Sequence, residues 1–121
     1  MIDPAAFEKV HLHGGFVITE IKFTDEPMAD ALGREAIAQT SIVGRRFRMI
    51  IRSGLSDREL SITLYHEILE AATVASIHPP ESVMEFNEGD FERVAQSMHI
   101  ELGDASPGTL NRMLQSHGFG E

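Results

Sequence analysis

The sequence contains no cysteine. Disulfides and thiolate metal ligands are therefore excluded, and any metal must be held by His, Asp or Glu. No apolar run approaches the roughly 20 residues needed to cross a bilayer, so no membrane partner is expected. The first ten residues, MIDPAAFEKV, lack the basic start and apolar stretch of a secretory signal. A cytoplasmic protein is the expectation. There is no P-loop, no dinucleotide fingerprint, no internal repeat and no low-complexity tract. Basic residues are scarce beyond the middle of the chain. Residues 1–56 hold seven acids and seven Lys/Arg, whereas residues 57–121 hold twelve acids and three Arg, which supplies the whole net charge of −9. Phosphate binding runs on Lys and Arg, so nucleic acid is not an expected partner. An acidic second half suits a site that attracts cations, or simply a solvated surface.

What remains is 121 residues, 42% hydrophobic and 24% charged. That is an ordinary soluble composition and enough chain for one domain over residues 1–121. Its organising stretch is Leu55 to Pro79, LSDRELSITLYHEILEAATVASIHP. Ser56-x-x-Glu59 is a capping box, and His78-Pro79-Pro80 is a sequence a helix does not cross. Between them lie about twenty residues without Gly or Pro, a long helix by globular standards. Leu60, Leu64, Tyr65, Ile68, Leu69, Ala71, Ala72 and Ala75 cover most of its surface, so it is expected to be buried. One narrow stripe is polar: Thr63, His66, Glu70 and Thr73, with Glu67 beside it. Buried carboxylates and imidazoles are costly unless paired or bound to metal.

Upstream, 16–23 alternates and reads as a strand with Val17, Thr19, Ile21 and Phe23 on one face. Gly14-Gly15 can close a hairpin with a short strand at 10–13, which would carry His11 and His13 on one face. Met28 to Leu32 reads as one helical turn ended by Gly33. Residues 35–41 and 45–52 read as strands joined at Val43-Gly44. The latter places Phe47, Met49 and Ile51 on one face and Arg46, Arg48 and Arg52 on the other. The arginine face can grip an anion or serve as the solvent side of a half-covered sheet. Downstream, residues 81–86 read as irregular or a short turn. Asn87 caps a second helix running to Leu102 and Gly103, and Ser106-Pro107 opens a third that stops at Gly118. The second helix has an apolar stripe of Phe91, Val94, Ala95, Met98 and Leu102, bordered by Glu88, Glu92 and His99.

Residues four apart on a helix point the same way, so His66 and Glu70 can hold one ion. Glu67 is turned by about 100° and can lean over that ion without ligating it. Two side chains hold the metal, and the neighbouring carboxylate takes a proton from the water that the metal acidifies. A third donor must come from elsewhere. Glu92 is the first candidate, with His99 and Glu88 as competitors and His78, at the end of the long helix, as a further one.

Leu64-Tyr65-His66-Glu67-Ile68-Leu69-Glu70-Ala71, behind a strand and a capping box, resembles the active-site helix of the zincin metallopeptidases, which carry H-E-x-x-H. It is most similar to small bacterial and phage zincin-like proteins of the ImmA/IrrE type. In these a later helix supplies a glutamate in a pattern such as E-x-x-A-N, to which Glu92-Arg93-Val94-Ala95-Gln96 is similar. The resemblance covers about residues 35–102. It implies an α+β fold in which a small mixed or antiparallel sheet packs on the active-site helix, followed by two further helices. It also implies His66 as a metal ligand, Glu67 as general base, Glu92 as third ligand, and an edge strand that aligns a peptide or protein substrate. The chain departs from the family at Glu70, where the second histidine would stand. The motif is H-E-x-x-E, a harder and more anionic set. One divalent ion, zinc first with manganese or iron as rivals, is the expected cofactor. The alternative expectation is a catalytically inactive module of the same fold with an interaction or regulatory role. A di-iron bundle needs two E-x-x-H helices, and the upstream strands speak against it.

Overall fold

A computed structural model describes residues 2–30 and 32–119. A 3-10 turn, Pro4–Phe7, precedes strands β1 (Val10–His11), β2 (Val17–Thr24), β3 (Met28–Ala29), β4 (Glu35–Ala36), β5 (Ala38–Val43) and β6 (Arg46–Arg52). Helices α1 (Asp57–Ala75), α2 (Glu81–Met84), α3 (Glu88–Leu102) and α4 (Pro107–Ser116) follow. The architecture is mixed α+β. Four strands form a sheet in the order β1-β2-β6-β5, and β3 and β4 form a separate two-stranded ribbon. Among the described residues β2 and β6 are parallel, and β1–β2, β5–β6 and β3–β4 are antiparallel.

Alternation in β6 does what it predicts. Phe47, Met49 and Ile51 are fully buried, each contributing about 1.5–3 kcal/mol from burial. The opposite face is solvated: Arg48 pairs with Glu20 at 2.7 Å and Arg52 with Glu35 at 3.2 Å. The arginines are thus the wet side of a sheet covered on one face. Val43 pairs with Arg46 across Gly44-Arg45, and Gly44 supplies the positive φ of +63° that this tight turn requires.

The strand β2 departs from its alternation. The register with β6 slips between Ile18 and Glu20, so Thr19 is an extra residue in the ladder. The bulge lets Ile18 and Ile21 both face the core; Phe23, in register with Ile51, stays on the face of Ile21 and is 40% exposed. The expected shared face thus holds for Ile21 and Phe23 and is broken at Val17, which is in register with Arg46 on the wet side. The Thr19 hydroxyl instead donates to the Phe47 carbonyl at 3.0 Å.

The helical turn expected over 28–32 is instead part of a hairpin (Ala31 lies outside the described residues). Asp30 decides this. Its Oδ1 accepts from the backbone of Leu32 and Arg34, both at 2.9 Å, and its Oδ2 from Arg34 Nε at 2.9 Å. An aspartate that captures backbone N–H groups in this way favours a turn over a helix. The strand expected over 35–41 is accordingly divided, β4 pairing with β3 and β5 with β6.

The capping box of α1 forms as the sequence predicts, Ser56 accepting from Glu59 and Glu59 from Ser56. The helix ends at Ala75, short of the prolines, where the Ser76 hydroxyl turns back to the Ala72 carbonyl. Its apolar surface is buried against β5, α3 and α4. The second long helix, α3, is capped by the Asn87–Asp90 box and buries Phe91 and Ala95. The fourth, α4, buries Leu110, Met113 and Leu114. Residues 81–86, expected to be irregular or a short turn, contain the single turn α2.

Candidate metal centre

The polar stripe of α1 opens into a cleft of about 770 Å³. Its walls are β5, the β3–β4 ribbon, and the facing sides of α1 and the start of α3. His66, Glu67, Glu70, Glu88 and Glu92 all line it. His66, Glu67 and Glu70 each place one ligand atom within 4.8 Å of the others, a group that can hold a metal ion. The backbone explains the grouping. His66 and Glu70 are one turn apart, Glu88 and Glu92 are one turn apart, and α1 packs on α3 so that the two pairs face each other.

His66 has 13% of its side chain exposed and lies against Phe91, ring centroids 6.1 Å apart. Its two nitrogens have different surroundings. Nδ1 lies 2.8 Å from Glu92 Oε1, in a hydrogen bond. Nε2 lies 3.3 Å from Glu88 Oε2 and 3.9 Å from Glu70 Oε1. The Glu88 oxygen is within ion-pair reach and meets no strict hydrogen-bond geometry with Nε2, although the imidazole contact helps to lower the Glu88 pKa. The buried Nε2 therefore has no hydrogen-bond partner among the described residues.

The carboxylates are perturbed. Burial raises the pKa of Glu67, and the hydroxyl of Thr40, donating to Glu67 Oε1 at 2.8 Å, partly offsets this. Burial also raises Glu70, and proton sharing with Glu88 together with the charges of Glu88 and Glu67 brings it to about 8. Glu88 is lowered, first by the hydrogen bond that the Glu70 proton makes to it. Like charges crowded in one cleft hold a proton that a divalent cation would displace.

The other candidates lie elsewhere. His99 Nδ1 is 2.8 Å from Ser61 Oγ, which also accepts from Ala105 N at 2.8 Å. That network ties α1 to the α3–α4 connection, and His99 does not line the cleft. His78 is exposed and lines a smaller depression with Arg45, Pro80 and Phe119. His11 is exposed, and His13 is anchored through its backbone N–H to Asn111. Neither histidine of the first hairpin lines the cleft. Sequence reasoning passed over Thr40, whose contact with Glu67 spans 27 residues. No local pattern signals such a contact.

Compared with known proteins, the chain matches no family model, no curated protein and no solved structure. Among the described residues, no helix is long and apolar enough to cross a membrane.

Proposed function

We propose that this chain is a metal-dependent hydrolase acting on peptides, with His66 and Glu70 as ligands of one divalent ion and Glu67 as general base. The observation that carries this is the buried Nε2 of His66, without a hydrogen-bond partner among the described residues and facing Glu70 and Glu88 beside Glu67. An unsatisfied buried nitrogen is costly unless something binds there. One imidazole with carboxylates suits zinc, and suits manganese or iron as well. When bound, such an ion supplies a Lewis acid that polarises a carbonyl and acidifies water.

The chain's own residues supply the rest. Glu67 is held at Oε1 by Thr40, which leaves its Oε2 to take a proton and pass it to a leaving amine. Its raised pKa moves it toward neutrality, where such a shuttle works best. The peptide reading rests on β5. Val43, Ser41 and Gln39 turn their backbone groups to β6, given the pairing across the tight turn. Ala38, Thr40 and Ile42 then turn theirs to the open edge, along the wall of the cleft. An extended peptide can add to that edge as a further strand.

A second reading, a peptide-binding module without catalysis, has its own support. Leu32 and Val74, 76% and 68% exposed, stand on the cleft rim. The carboxylates also satisfy one another in part without an ion. The two readings separate on a labelled unstructured peptide incubated with zinc-loaded protein. Hydrolysis that disappears in Glu67→Gln, with zinc retained, supports the enzyme. Peptide binding without cleavage supports the module and overturns the enzyme.

A further inference from the structure

We infer that Glu88 completes the donor set with His66 and Glu70, and that Glu92 is a positioning residue that fixes the imidazole from its far side. This rests on the metal-site reading above. It departs from the role that the family resemblance gives Glu92.

An imidazole offers its two nitrogens in divergent directions, so a carboxylate bound to one is not placed to share an ion with the other. Glu92 Oε1 takes Nδ1 at 2.8 Å, whereas Glu70 and Glu88 lie toward Nε2. Both oxygens of Glu92 are engaged, the second accepting from Gln96 Nε2 at 3.1 Å on its own helix. Glu88 is held differently. It is the first residue of α3, its side chain is 71% exposed, and its Oε2 stands 3.3 Å from Nε2 without a hydrogen bond to it. Glu88 and Glu92 are one turn apart, so the two carboxylates bracket the ring. The ring is restrained by burial and by Phe91. An Nδ1–H bonded to Glu92 leaves the Nε2 lone pair for a cation and raises its basicity.

The test uses the full chain with ¹⁵N-labelled histidine, observed by NMR at about pH 9, above the ordinary imidazole pKa. Spectra are taken without metal and through a zinc titration, for wild type, Glu88→Gln and Glu92→Gln. His66 Nδ1 is expected to carry a proton before and after zinc, with zinc shifting only Nε2. Loss of an orienting partner costs roughly 10–100-fold in affinity. Glu92→Gln, whose amide oxygen can still accept from Nδ1–H, is expected to lose no more than that. Glu88→Gln is expected to lose more. A bare Nδ1, a zinc shift at Nδ1, or a larger loss in Glu92→Gln than in Glu88→Gln overturns the assignment. A wild-type chain that binds no zinc overturns the metal reading and Glu88 as donor. The metal-free spectrum then still decides the Glu92 contact, so the two failures are distinct.

Discussion

At the scale of single residues, the cleft is a set of groups whose protons are shared. Glu70 has a folded pKa of about 8 against an ordinary 4.5. Between those values the folded chain keeps a proton that the unfolded chain has released. Its contribution to stability is complete below pH 4.5 and is lost as pH rises toward about 8. Glu67, also raised, acts in the same direction; Glu88, lowered, acts oppositely and only as pH falls through the acid range. Metal-free protein is therefore expected to lose urea resistance across this window, and Glu70→Gln to flatten the slope. An unchanged slope in that variant would show that Glu70 is not the group. Thr40→Val removes the donor that holds Glu67 down. The Glu67 pKa, read by ¹³C NMR of its carboxyl, is expected to rise, and stability to fall by about 1 kcal/mol. His66, Glu67, Glu70, Glu88 and Glu92 were legible as candidates because helix spacing alone puts them on two faces. Which nitrogen of His66 meets which carboxylate was not legible, because it depends on how α1 packs on α3. Thr40 was not legible for the same reason.

At the scale of elements, the helices were the clearest part of the sequence. Their starts are written in side chains that bond to nearby backbone: Ser56–Glu59, Asn87–Asp90 and Ser106–Thr109 all form their boxes. Strands were legible where alternation was unbroken, as in β6. In β2 the bulge at Thr19 broke the expected face, since one extra residue puts Ile18 rather than Val17 on the side of Ile21 and Phe23. Near 28–36 the side chain of Asp30 outcompeted a helical turn. The joint between elements that bears most on the cleft is Ser61, fully buried on α1. It accepts from Ala105 N and meets His99, so it fixes the end of α3 against α1. Ser61→Ala leaves the Ala105 N–H without its partner and is expected to cost about 1–3 kcal/mol, measured by denaturant unfolding. A neutral result would show that the α3–α4 connection can reseat without it.

At the scale of the whole molecule, one sheet face is covered and the other is wet. The covering helices leave an acidic cleft along the free strand β5. The α+β layout, which the resemblance implied, agrees with strands preceding helices in the sequence, and eight of the twelve acids of the negative second half lie on α1 and α3, the helices that wall the cleft. Which strands pair did not follow, because no local signal makes β2 and β6 parallel neighbours. His66, Glu67 and Glu70 form a group in this cleft that could hold one divalent ion, the role proposed for it above. Calorimetric titration of zinc into the full chain at about pH 8, close to the raised pKa of Glu70, tests it most directly. One ion per chain is expected for wild type, with stoichiometric binding abolished in His66→Ala. Absence of binding in wild type, or equal binding in His66→Ala, would contradict it.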